Sequence, residues 1–267
     1  SLSPISNANP DLRWEKSTEY NVGLDLGFFG NRLYANIDLY NKVTSDMLWE
    51  YSVPVPPNLY GYTTANVGSM SNQGIEVLIG GTPVQTKNFE WNSTLTLAHN
   101  RNKLINMSND LYETENYLDG GWTEEPTSMV TQRTYIGDAI GSFYMLKAVG
   151  VVESGPQKGL WLIEDPETGE AVPFESGMRN YDSRFRQYCG SALPKLTMGW
   201  SNTLRFYGVD VTMSFSGQFG YKIFNCQRMF YENLNIGLNR YKSATKPVYG
   251  TTLAKSQQPV AVSYYLE

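Results

Sequence analysis

Tyr20-Asn21-Val22-Gly23-Leu24-Asp25-Leu26-Gly27-Phe28 runs through Phe29-Gly30-Asn31-Arg32 into Leu33-Tyr34-Ala35-Asn36-Ile37-Asp38-Leu39. One face of the first run carries Tyr20, Val22, Leu24, Leu26 and Phe28, and the same face resumes with Leu33, Ala35, Ile37 and Leu39. The other face carries Asn21, Gly23, Asp25 and Gly27, then Tyr34, Asn36 and Asp38. Successive side chains of an extended strand point to opposite sides, so this period of two predicts two strands with one apolar face. Gly30-Asn31 between them tolerates positive φ and predicts a hairpin turn.

Two more hairpins follow the same rule. Ile75, Val77 and Ile79 alternate with Glu76, Leu78 and Gly80; beyond Gln85-Thr86-Lys87-Asn88, Phe89, Trp91, Leu95 and Leu97 alternate with Glu90, Asn92, Thr94 and Thr96. Leu196, Met198, Trp200 and Leu204 alternate with Thr197, Gly199, Ser201, Thr203 and Arg205, turn at Tyr207-Gly208, and return as Val209, Val211, Met213 and Phe215. The links between hairpins, about residues 43–72, 100–194 and 220–267, read as long loops, unlike the short connections of compact domains. Tight turns at one end and long loops at the other is the asymmetry of an outer-membrane β-barrel. Aromatics flank each tight turn (Phe28 and Phe29, Phe89 and Trp91, Phe206 and Tyr207), as in an interfacial girdle. The polar faces hold Asn, Ser, Thr and Gly rather than the Lys and Glu of a freely solvated sheet.

Composition narrows the classes without choosing between them. The 267 residues carry 21 Lys+Arg against 26 Asp+Glu, a net charge of −5, with no basic block; nucleic acid is excluded as a partner. No apolar run approaches the roughly 20 residues of a spanning helix. The mean hydropathy of −0.38 leaves a barrel open, because lipid-facing and lumen-facing residues average out. Ser1-Leu2-Ser3-Pro4-Ile5 has neither a basic nor an apolar leader region, so no signal peptide is expected. Cys189 and Cys226 lack a zinc spacing and are too few for a disulfide framework; separate thiols and a single bridge both remain open. His99 stands alone, without the partners a catalytic or ligating histidine needs.

Several stretches resemble the SusC/RagA family of TonB-dependent outer-membrane transporters of Bacteroidetes. They are Asn9-Pro10-Asp11-Leu12-Arg13-Trp14-Glu15-Lys16 leading into Tyr20-Asn21-Val22-Gly23-Leu24-Asp25, Asn66-Val67-Gly68-Ser69-Met70-Ser71-Asn72-Gln73-Gly74-Ile75-Glu76, Asn100-Arg101-Asn102-Lys103, and Gly190-Ser191-Ala192-Leu193-Pro194-Lys195. The resemblance implies an all-β fold, a segment of an antiparallel transmembrane barrel of about 22 strands with short periplasmic turns and long extracellular loops. Spread over that many strands, 267 residues leave about 12 each, against the roughly 9–11 a spanning strand needs. Residues 1–267 are therefore expected to be a partial C-terminal barrel region, without the plug domain and closing strands.

The family implies uptake of an oligosaccharide or peptide, a SusD-like surface lipoprotein as lid, TonB engaging an N-terminal region outside this chain, outer-membrane lipid around the wall, no cofactor and no catalysis. Tyr60, Tyr62, Tyr112, Tyr117, Trp122, Tyr144 and Trp161 are the loop aromatics expected to contact substrate or lid. Where many relatives carry a calcium-like acidic loop, this chain reads Glu164-Asp165-Pro166-Glu167-Thr168-Gly169-Glu170-Ala171. Pro166 and the displaced carboxylates break the alternating oxygen spacing calcium favours, so a solvated acidic loop is expected and no metal. Glu124-Glu125 and Asp165/Glu167 are carboxylate neighbours that could be taken for a glycosidase pair, and read as solvated loop charges. Asn92-Ser93-Thr94 and Asn106-Met107-Ser108 match the glycosylation pattern only as short motifs. Competing readings are a soluble β-sandwich that binds carbohydrate and a β-rich hydrolase. They part from the barrel on whether Val22, Leu24, Ile37, Leu39, Val211 and Met213 pack into a closed core or form an outward band.

Overall fold

The structure, a computed structural model, describes residues 6–108, 116–123, 127–180, 182–234, 237, 239–249, 251, 253 and 260–267. In chain order the strands are β1 (Lys16–Phe28), β2 (Leu33–Ser52), β3 (Tyr62–Gln85), β4 (Phe89–Asn106), β5 (Tyr117–Trp122), β6 (Val130–Tyr135), β7 (Ser142–Leu146), β8 (Ala148–Val151), β9 (Trp161–Glu164), β10 (Ala171–Pro173), β11 (Arg186–Ser191), β12 (Leu196–Phe206) and β13 (Val209–Phe219). A short helix α1 (Cys226–Tyr231) follows, capped by the Asn225 side chain accepting from the Arg228 amide. The chain divides into two units, one of residues 1–117, 135–140 and 194–220, the other of 118–134, 141–193 and 221–267.

The first unit is a six-stranded antiparallel sheet in the order β1-β2-β3-β4-β12-β13. The register aligns the apolar alternation of every strand. Leu24 pairs with Ile37, Ile37 with Val77, Val77 with Leu97, and Leu97 with Met198. One row lower, Leu26, Ala35, Ile79, Leu95, Trp200 and Phe215 follow across all six strands. Near the turns an extra β3 residue lies between Gly81 opposite Ser93 and Val84 opposite Trp91, and this bulge returns Val84 to the apolar face. Val22, Leu24, Leu39, Val211 and Met213 are 70%, 53%, 51%, 47% and 40% exposed, so they form an outward band instead of a closed core. The sandwich and hydrolase readings fail on this point.

The predicted turns lie at one end of the sheet. Phe206 pairs with Val209 across a two-residue turn in which Tyr207 has φ 46° and Gly208 φ 86°, the doubly positive conformation that matches strand twist. The Gly30-Asn31 turn is longer than a two-residue hairpin: Phe28 pairs with Leu33 around residues 29–32, three of them at positive φ.

At the other end the expected long links are corrected. β2 and β3 stay paired to Ser52 opposite Tyr62, so the first link shrinks to residues 53–61. Extra residues on β2 near Met47 and on β3 at Val67 offset each other, so the register recovers. Here Tyr51, Ala65 and Val67 form a small buried cluster, with the Tyr51 hydroxyl donating to the Met107 carbonyl at 2.5 Å. Residues 6–15 strap this hairpin: Asn7 donates to the Tyr60 and Tyr62 carbonyls, Asn9 to that of Thr64, and Asn66 to that of Arg13.

The second unit occupies most of the other two links and has its own sheets, β10-β9-β8 and most of β11-β7-β6-β5. Its core gathers Leu146, Trp161, Ile163, Met229, Val262 and Tyr265, all at most 3% exposed. Burying this much apolar surface is what lets segments between spanning strands hold a fixed shape.

Candidate functional site

The functional surface of the first unit is its wall, whose two faces do different work. Opposite the apolar band, Gly23 faces Asp38 and Asp25 faces Asn36 across β1 and β2; Thr94 faces Ser201 and Thr203 faces Thr212 farther along the sheet. Asn36 donates to Asp25, Asn100 to the Tyr40 hydroxyl at 2.7 Å, and Arg205 to Asp210 at 2.9 Å. This face presents hydroxyls, amides and paired charges, as a water-facing lumen requires. Gly80 provides close approach: a Cβ there would overlap the Tyr34 ring, which lies across it.

The apolar face carries two polar side chains near the turns, and both are covered. Trp91 Nε1 donates to Asn202 Oδ1 at 3.0 Å, and Trp200 Nε1 donates to Ser93 Oγ at 3.0 Å. An unpaired polar atom facing hydrocarbon is expensive, so the indoles satisfy these groups while presenting apolar rings outward. Phe89 packs edge-on against Phe206 at 6.4 Å, and Phe206 against Tyr207 at 4.5 Å, giving the expected aromatic girdle at the turns.

The predicted loop aromatics are dispersed. Tyr62 and Trp122 are the exposed ones, at 63% and 66%. Tyr60 is half-buried, its backbone held at both amide and carbonyl by the Asn7 side chain. Tyr117 lies edge-on to Tyr135 at 5.6 Å. Tyr144 packs edge-on against Tyr188 at 5.3 Å, with the Arg133 and Arg186 guanidinium groups 5.7 and 5.3 Å from its ring centre. Trp161 corrects the expectation of surface contact: it is 1% exposed, packed among Tyr249, Tyr264 and Tyr265, and is a core residue. Tyr112 lies outside the described residues, as do Glu124 and Glu125.

Sequence reasoning missed the buried cations of the second unit. Arg133, 2% exposed, makes a two-pronged pair with Asp119 at 2.7 and 2.9 Å. Arg186, 3% exposed, donates to the Val130 and Tyr144 carbonyls at 2.7 Å each. Nothing in the sequence distinguishes these arginines from surface ones, because their partners are distant in the chain or are backbone atoms.

The acidic loop is also corrected: Asp165 is buried rather than solvated. Arg184 grips both its oxygens, at 2.7 and 2.8 Å, and reaches Glu167 at 3.2 Å. Asp165 Oδ1 also accepts from the Glu167 amide, closing the turn. The Arg184 guanidinium beside it, then this amide, hold the Asp165 carboxyl below its ordinary range. An arginine thus fills the place a cation takes in an acidic loop, and the oxygen set does not fit calcium. Cys189 and Cys226 are not bridged; burial pushes the Cys189 thiol up to about 11.

A family model described as "TonB dependent receptor-like, beta-barrel" matches residues 2–155. TonB-dependent receptor P26 of Formosa agariphila is 30% identical over 224 residues, covering 82% of this chain and 22% of that protein. TonB-dependent receptor SusC of Bacteroides thetaiotaomicron is 26% identical over 300 residues, covering 96% of this chain and 30% of its own. Among solved structures, the RagAB peptide transporter superposes on the whole chain with a TM-score of 0.78 at 27% identity, over 29% of the matched chain. The chain spans less than a third of the length of these relatives.

Proposed function

The chain belongs to the TonB-dependent receptor β-barrel family, and from that premise we propose that it is a late, C-terminal section of the barrel of a transporter importing oligosaccharides or peptides. The family places the sheet in the bacterial outer membrane and makes the protein a transporter, not an enzyme. The observation that carries the reading is the six-strand register, which puts a continuous apolar band on one face and hydroxyls, amides and paired charges on the other. A wall of this kind meets lipid outside and a wet lumen inside, and it contributes shape and hydrogen bonds to passage.

A SusD-like surface lipoprotein covers the assembled transporter, and TonB acts through a region outside this chain. Support for the lid comes from the likeness to a complex named the RagAB peptide transporter. Exposed Trp122 and Tyr62 are the aromatics of this chain best placed to meet substrate or lid. The test is purification of the full-length transporter from native outer membranes under mild detergent, with mass spectrometry of what accompanies it. A stoichiometric lipoprotein and a bound glycan or peptide are the expected result. A transporter isolated alone, from a strain whose deletion mutant grows normally on both nutrient classes, would overturn the proposal.

A further inference from the structure

The ribbon that β2 and β3 form beyond the wall has one edge that is capped without being paired. The Val53 amide donates to the Gly61 carbonyl at 2.8 Å, so the odd-numbered residues that follow Gly61 bond β2. Tyr62, Thr64 and Asn66 therefore turn their backbone N–H and C=O to the outer edge. β4 joins β3 only from Ser69 onward, opposite Asn106. Beside the outward-turned residues lie residues 6–13 instead. Asn7 donates to the Tyr60 and Tyr62 carbonyls at 2.6 and 2.7 Å and accepts from the Leu59 and Tyr60 amides at 3.1 and 3.0 Å. Asn9 donates to the Thr64 carbonyl at 2.9 Å. Each of these contacts comes from a side chain. Among the described residues no backbone–backbone hydrogen bond joins residues 6–13 to β3, and Pro10 has no N–H with which to make one. Side-chain amides thus cover carbonyls that a neighbouring strand would meet with its backbone.

We propose that residues 6–13 are a displaceable guard, and that the edge they cover, residues 60–66, takes up an extended peptide by strand addition. Backbone donors and acceptors repeating every second residue match a polypeptide, whereas a glycan has no such row. A second copy of this chain fits less well. Two transporters seated in one membrane carry β3 in the same direction, so their edges meet only as parallel strands, the weaker pairing. A peptide arriving from outside takes the antiparallel one. Exposed Leu59 and Tyr62 flank the edge and offer contact to its side chains. The occupant is the peptide form of the cargo, so the inference rests on the uptake reading above.

The experiment uses the full-length transporter in nanodiscs and a fluorescently labelled hexapeptide of alternating Thr and Val, residues that favour strands, with binding read by anisotropy. The same hexapeptide methylated at every backbone nitrogen is the control. Strand addition requires the guard to leave, so the apparent affinity follows the fraction of molecules with an open edge. One hydrogen bond is worth about five-fold, so Asn9→Ala tightens binding by about five-fold, and Asn7→Ala with Asn9→Ala by about twenty-five-fold or more. Asn58→Ala, which removes a bond to the Pro54 carbonyl inside the tip, leaves the affinity unchanged. If the double variant assembles poorly, Asn9→Ala alone decides. Variants that bind no more tightly than the wild type would overturn the guard, and equal binding of the methylated peptide would overturn strand addition. Both leave uptake itself standing. A deletion mutant that loses growth on glycans alone would overturn the peptide as cargo whatever the hexapeptide does, so the two failures are told apart.

Discussion

Leu95→Arg and Thr96→Arg differ by one position on β4, and the structure assigns them opposite consequences. Leu95 pairs with Ile79 and Trp200 on the apolar face, whereas Thr96 pairs with Leu78 and Gly199 on the other. Twelve residue steps lead from Phe89 in the girdle to Arg101 toward the long-strand end, and Leu95 lies midway. Twelve steps of about 3.4 Å, tilted by about 45°, cover about 30 Å of depth, the thickness of the hydrocarbon core. Leu95 is therefore at the midplane, where a lipid-facing arginine costs about 2–4 kcal/mol. That corresponds to about 30- to 700-fold in the folding equilibrium. Thr96→Arg loses one hydrogen bond, Thr96 Oγ1 to the Gly199 carbonyl at 3.3 Å, worth about 0.5–1.5 kcal/mol, and its new charge meets water. Reversible urea unfolding of the full-length transporter in liposomes measures both. If Thr96→Arg proves as costly as Leu95→Arg, or costlier, the assignment of faces is wrong.

Three further outcomes follow from particular contacts. Trp161→Ala removes a ring that is 1% exposed and packed on three tyrosines; a loss of about 3–5 kcal/mol of local stability should appear as rapid proteolysis of the second unit, with the barrel wall intact. Because Arg184 lowers the folded pKa of Asp165, the turn gains stability above the unfolded value of about 3.9 and loses it as pH falls through the lower folded value. Amide protection across residues 164–171, taken relative to the intrinsic exchange rate at each pH, should fall on acidification in the wild type and stay flat in Asp165→Asn, with calcium chelators changing neither. Gly80→Ala forces a Cβ into the Tyr34 ring and should destabilise the wall, while Tyr34→Ala with Gly80→Ala should recover stability in a double-mutant cycle.

The spanning parts of the strands were legible because lipid on one side and water on the other enforce a strict alternation, as from Tyr20 to Phe28. The signal fades near Val43, where the hairpin leaves the bilayer, although β2 continues to Ser52 and β3 begins at Tyr62. Backbone pairing persists there without a solvent contrast to write it into the side chains. Trp161 was misplaced for a related reason. An aromatic in a long link looks the same whether it faces a ligand or fills a local core, and only the approach of Tyr249, Tyr264 and Tyr265 decides which. The partners of Arg133 and Arg184 were hidden because each ion pair closes a loop whose path the local sequence does not reveal.

From Asn41 opposite Gln73 to Ser52 opposite Tyr62, the β2–β3 hairpin continues past the interfacial row for about 35 Å of strand. Its register is already set by the rows below, so residues 53–61 at its tip are held only locally, by the Asn7 side chain, which accepts from the Leu59 and Tyr60 amides. A change of sequence there, short of Leu59 and Tyr60, leaves the register of the wall untouched. An epitope inserted between Pro56 and Asn58 would decorate living cells while the pore beneath kept its dimensions.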